Sequence, residues 1–269
     1  MKISLFIVLL FAFNVAAEID HTLFVSAVYT TIYGGYIGPV LLETLDYKAI
    51  RSNAQFKAYI SQISKPNEGS DLTTEETLAL YLNAYSAYTI KLVSENPCII
   101  RYGRYCYPTQ SIRDLGTIKT DIWSLPHVTL LGLTMSLNDV RERIMNITSD
   151  PAFYGALSGT CISDPDITVF FPENIYEQVR TKMRRFIENK TKGARIYQET
   201  NTITLSKIFL WNRDAFLKHT GGDNILDYLE MIGDTKMKRQ LESMKNATIN
   251  YFFYDFKIND KLSLIKINT

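Results

Sequence analysis

The amino-acid sequence predicts an α+β fold: a single globular domain, mostly helical, with a small antiparallel sheet built from short hairpins. Three observations carry that expectation. Residues 72–93 are apolar on nearly every face at helical spacing, which is the pattern of a helix buried between other elements. Residues 128–135 and 195–205 switch to a period of two across turn signals, as hairpins do. Helices and hairpins then follow one another without a βαβ rhythm, which excludes a doubly wound parallel sheet.

The chain begins with one lysine, Lys2, then the apolar run ISLFIVLLFAF and the small residues Val15 and Ala17 before Glu18. This reads as a secretory leader over residues 1–17, with the domain occupying residues 18–269. Of the 29 basic residues, losing Lys2 leaves a balance against 28 acidic ones, so no global attraction to nucleic acid is implied. Residues 22–42 carry no charge, but Gly34, Gly35, Gly38 and Pro39 interrupt them. They predict a core-facing helix and a Gly-rich turn, with no membrane span once the leader is cleaved. Residues 45–63 predict one or two amphipathic helices that end before Pro66.

In the central helix, Asp71 and Thr73 are candidate N-caps, and Thr73 with Glu76 has capping-box spacing. Asn83 and Ser86 lie together on its otherwise apolar surface. Two readings stay open, a structural hydrogen-bond clamp and a polar corner of a site. Downstream, Cys98 and Cys106 bracket a short Gly-containing loop, and in an oxidising compartment they predict a disulfide. Cys161 is then left over, as a buried small hydrophobe, a nucleophile or an intermolecular bridge.

Past the first hairpin, Ser136 and Asp139 predict the start of a helix running to about Ile147, which Asp150-Pro151 ends. Residues 174–189 predict a helix burying Ile175, Val179, Met183 and Phe186. Its Arg180, Lys182, Arg184 and Arg185, extended by Lys190 and Lys192, form a basic face suited to solvent or to weak contact with an anionic surface. Ser206 is expected to cap the next helix and Gly221-Gly222 to end it. Two short helices and a strand over residues 248–254 complete the reading. Three sequons, at Asn146, Asn189 and Asn246, are expected near the surface as N-glycan acceptors.

Four blocks then carry a resemblance: LTTEETLALYLNAYSAYTI (residues 72–90), SIRDL (111–115), GLTMSLNDV (132–140) and YDFKIN (254–259). Residues 205–216 fit a fifth. Over residues 21–259 the chain resembles a diverged member of the domain of unknown function 547 family. The resemblance implies a scaffold and no particular reaction. Where the family pattern has an acidic-His pair, this chain reads Arg141-Glu142. Where it resembles His-Phe-Ala-Leu, the chain has Tyr154, Gly155, Ala156 and Leu157, and Gly159 and Asp164 align with family cysteines.

None of His21, His127 and His219 falls in a family motif, and a thiolate normally needs such a base. No zinc spacing, phosphate loop or GxSxG occurs, so neither metal nor other cofactor is expected. Two functions follow. One is a secreted glycoprotein that keeps the scaffold as a binding or structural module for an unknown extracellular ligand or protein. The other is a hydrolase or acyl transferase using Cys161 or Ser158, with Glu142 or Asp164 orienting a base and Asn83 and Ser111 assisting. The C-terminal residues 266–269 are no retrieval signal, which favours release from the cell.

Overall fold

The computed structural model describes residues 19–66, 71–102, 105–244 and 246–264, so the leader lies outside the described residues. Helix α1 (Thr22–Tyr29) leads into strands β1 (Ile32–Ile37) and β2 (Val40–Leu45), then helices α2 (Tyr47–Ser52) and α3 (Ala54–Ser64). The Gly-rich segment is thus a hairpin rather than only a turn. Gly38, at φ +56°, makes the reversal, and Gly35 has no side chain where Leu264 packs on β1. A residue with no Cβ reads as a breaker in sequence and as a close approach in structure.

Helix α4 (Thr74–Glu95) is the axis of the domain. Thr73 and Glu76 form the capping box, and Leu78, Leu80, Leu82, Ala84, Ala87 and Ile90 are fully buried. The disulfide hairpin β3 (Cys98–Tyr102) and β4 (Tyr105–Pro108) follows, closed by Cys98–Cys106. The next hairpin, β5 (Val128–Leu130) and β6 (Leu133–Met135), turns on Leu131 and Gly132, both at positive φ, a backbone suited to a tight two-residue reversal. Ser136 and Asp139 then cap α5 (Leu137–Ile147) with a second capping box. Helix α4 packs against α2, α3, α5 and α6 (Ile175–Glu188).

The last part contains β7 (Ala194–Tyr197), β8 (Thr202–Leu205), α7 (Lys207–Trp211), α8 (Arg213–Thr220), α9 (Ile225–Ile232), α10 (Thr235–Glu242) and β9 (Thr248–Tyr251). Here two expectations are corrected. The single helix after Ser206 is two, because Asn212 leaves helical geometry and its side chain donates to Ile208 O at 2.9 Å. The sheet is also not wholly antiparallel, since β9 joins β8 parallel. Four helices intervene between the two strands, enough chain to bring β9 back to the starting end of β8. No helix among the described residues is long and apolar enough to cross a membrane.

The basic face of α6 is also corrected. Lys182 is only 8% exposed and Lys192 3%. Lys192 Nζ bonds Asp166 Oδ1 at 2.6 Å and the carbonyl of Asp164 at 2.8 Å. Arg180 pairs with Asp150 at 3.1 Å, and Arg184 Nε donates to Ile232 O at 3.0 Å. Arg185 remains exposed. Lys182 and Lys192 therefore leave the basic face, because inward carboxylates draw the lysine ends into the protein, whereas Arg180, Arg184 and Lys190 stay exposed with Arg185.

Candidate functional site: an aromatic cleft beside Cys161

The extended segment after β9 crosses the domain as a strap. It makes single β-bridges from Lys257 to Ser111, from Ile258 to Cys161 and from Asp260 to Leu45. The loop over residues 158–164 is held from both sides. Asn259 N donates to Thr160 O at 2.8 Å, Ile162 N to Lys257 O at 2.9 Å, and Ser86 Oγ of α4 to Ser158 O at 3.1 Å. Between this loop, α4, α5 and α7 lies a cleft of about 360 Å³.

Tyr85 and Thr89 of α4 form one side, and Asn138 and Arg141 of α5 another. Leu157, Gly159, Thr160, Cys161 and Asp164 come from the loop. Trp123, Trp211, Tyr254 and Phe256 supply the aromatic wall, with Trp211 and Tyr254 centroids 4.7 Å apart and Tyr254 and Phe256 4.9 Å apart. Arg113 places its guanidinium 3.5 Å from the Phe256 centroid. Both tryptophans of the chain line this one cleft.

Asp164 organises the polar side. Its carboxylate accepts from Cys161 N at 2.8 Å and from the Tyr254 hydroxyl. Burial raises its pKa above the usual carboxylate range, opposed by those donors. Burial, and then the charge of Asp164, push the Cys161 thiol well above its ordinary value. A thiol so placed stays protonated at neutral pH and is a poor nucleophile. An ideal Cβ on Gly159 would come within 2.1 Å of Asp164 Oδ2. Gly159 and Asp164 are therefore neighbours in space, and a carboxylate fills the room left by a glycine.

Of the six candidate site residues, Cys161 and Asp164 meet in the cleft and the other four do not line it. Ser158 is fully buried and donates to Asp166 O at 2.6 Å, which removes it as an accessible nucleophile. Glu142 is exposed on α5 while its neighbour Arg141 faces the cleft. Ser111 caps a 3₁₀ turn and donates to Phe256 O at 2.8 Å. Asn83 clamps Phe170, accepting from its N at 2.8 Å and donating to its O at 2.7 Å.

Asn83 also reaches His21 Nδ1 at 3.1 Å, and the Tyr59 hydroxyl meets the same nitrogen at 2.9 Å. Burial lowers the pKa of His21 to about 4. His127 is exposed, and His219 stacks edge-on with Tyr228. No histidine lines the cleft. Among the described residues no group of three or more His, Cys, Asp or Glu side chains is placed to hold a metal ion.

Arg141, Tyr85, Trp123, Trp211 and Tyr254 are cleft residues that sequence reasoning passed over. Two signals pointed to them: the scarcity of tryptophan, and a basic residue at a position where the family pattern is acidic. Fold and cleft together describe an α+β domain with a half-open aromatic cavity floored by its central helix. Residues 69–187 match the model of the family described as Protein of unknown function, DUF547. The match covers α4, α5, α6 and the Cys161 loop, a shorter span than residues 21–259, and leaves Trp211, Tyr254 and Phe256 outside it. No curated protein and no solved structure matches the chain.

Proposed function

We propose that this protein is an exported glycoprotein that keeps the family scaffold as a binding module, with the aromatic cleft as its recognition site. One observation carries the reading. The sole free cysteine among the described residues sits in the cleft wall beside a carboxylate, with its pKa raised and no imidazole lining the cavity. The nucleophile–base–orienter arrangement of a cysteine or serine hydrolase lacks its middle member. What does favour recognition is the mixture of a flat aromatic wall with a few convergent polar groups, the composition of a ligand pocket.

Alkylation of Cys161 in the native, non-reduced protein between about pH 4 and 9 tests this. Cys161 is expected to stay inert until denaturant is added. Fast labelling with an apparent pKa well below the free value of about 8.5 overturns the reading in favour of a held thiolate.

Export is supported by the Cys98–Cys106 disulfide, which lies on an exposed hairpin and belongs to an oxidising compartment. Asn146 and Asn246 are exposed. The amide of Asn189 instead donates to Leu41 O at 2.8 Å and its oxygen accepts from Thr191 Oγ1 at 2.6 Å. Expressed in a glycosylating secretory host, the protein is expected in the medium with glycans on Asn146 and Asn246 and none on Asn189. Intact mass before and after glycosidase treatment reads this. Retention in the cytosol with no glycan removes the export reading.

A further inference from the structure

Arg141 is the cation of the cleft whose fork is left over. Among the described residues it makes no ion pair within 4.0 Å. The two carboxylates that line the same cavity are engaged elsewhere. Asp121 accepts from Ser124 N at 3.1 Å and from Ser124 Oγ at 2.9 Å, and Asp164 is held by Cys161 N and the Tyr254 hydroxyl. Burial keeps the phenol of Tyr85 protonated, with Arg141 close enough to act on it electrostatically. One guanidinium and one phenol therefore share a cavity with the rings of Trp123, Trp211 and Phe256.

A guanidinium presents parallel N–H groups that match a carboxylate bidentately, and indole faces take up flat rings. A dianion is disfavoured, because Asp121 and Asp164 line the same cavity and one arginine neutralises one charge. The volume, about 360 Å³, is near the lower end for small-molecule pockets. Resting on the reading of the cleft as a recognition site, we propose that it binds a small monocarboxylate with a flat apolar body, its carboxylate on Arg141 and its ring against Trp123 and Trp211.

The probes are 2-naphthoate and its neutral isostere 2-naphthamide, titrated against the intact protein by tryptophan fluorescence and calorimetry. Naphthoate is expected to bind about tenfold more tightly than the amide, the size of one charge-assisted contact. Arg141→Gln is expected to erase that preference while leaving amide binding unchanged. Arg141→Lys, which keeps the charge and loses the fork, is expected to recover only part of it. Trp211→Ala is expected to weaken both probes, and because Trp211 is 52% exposed its loss does not empty the core.

Equal binding of the two probes to the native protein, or an unchanged preference in Arg141→Gln, overturns the carboxylate assignment and leaves the cleft reading standing. If both probes bind and Trp211→Ala changes neither, the cleft is not the binding site and both readings fall. Binding of neither probe together with calorimetric binding of a neutral disaccharide such as cellobiose, lost in Trp211→Ala, overturns the carboxylate class alone. Binding of none of the three overturns both.

Discussion

Helix α4 carries polar side chains toward two different surroundings, and the contrast between them separates holding a fold from offering a site. On one side Asn83 meets His21, Tyr59 and the backbone of Phe170, in a cluster where Asn83 is fully buried. On the other, Tyr85 and Thr89 face a cavity shared with Cys161, Asp164 and Arg141. The first set is saturated within the protein, and saturated buried networks fix one conformation. The second leaves donor capacity next to open space, which is what a ligand needs.

The largest test of that contrast is Asn83→Leu. It keeps the volume and removes both partners of Phe170, whose N–H and C=O are then buried without bonds. Each lost partner costs about 1–3 kcal/mol, so a destabilisation of about 3 kcal/mol is expected from urea unfolding. A loss below about 1 kcal/mol breaks the comparison, because the dry cluster would then not be holding the fold.

The next effect is a pH dependence. Asn83 Oδ1 accepts from Phe170 N, which orients the amide and makes Nδ2 a donor toward His21 Nδ1. A proton on that nitrogen would set two donors against each other, and burial already lowers the His21 pKa from 6.5 to about 4. A depressed histidine contributes stability that is full above the unfolded value and is lost as pH falls from 6.5 toward about 4. Between about pH 7 and 5 that is a loss of about 2 kcal/mol.

Asp164, on the cleft side, has the opposite sign. Its raised pKa gives stability that is present below the usual carboxylate range and is lost as pH rises through the folded value. Urea midpoints at both pH values in the native protein and in His21→Gln isolate the histidine contribution. An identical pH dependence in the two proteins removes His21 as its source.

The two sides of α4 were unequally legible in the sequence. Local signals translated directly: Thr73 with Glu76 and Ser136 with Asp139 became capping boxes, and Leu131-Gly132 became a turn. These are decided within about four residues by backbone donors that need caps and by φ. The scaffold could also be recognised, since the family model covers residues 69–187. The partners of Asn83 were not legible, because His21 is 62 positions away and Phe170 87. Nor was the cleft, whose wall joins Trp123 to Trp211 and Tyr254 through the strap after β9. The parallel pairing of β9 with β8 failed for the same reason, since no local pattern encodes a partner across four helices.

The smallest expected effect is on the cleft side, in Tyr254→Phe. The ring keeps its packing against Trp211 and Phe256, and only the hydroxyl bonded to Asp164 is lost. If the cleft's polar groups serve a ligand more than the fold, unfolding is expected to shift by about 1 kcal/mol, the net worth of one hydrogen bond. Removing that donor also takes away the first of the groups opposing the raised pKa of Asp164. Its pKa is therefore expected to rise further, so that the loss of stability with rising pH still begins in the usual carboxylate range but extends to a higher pH. A cost matching that of Asn83→Leu would erase the distinction between the two sides of α4 and make the Asp164–Tyr254 pair a second structural clamp.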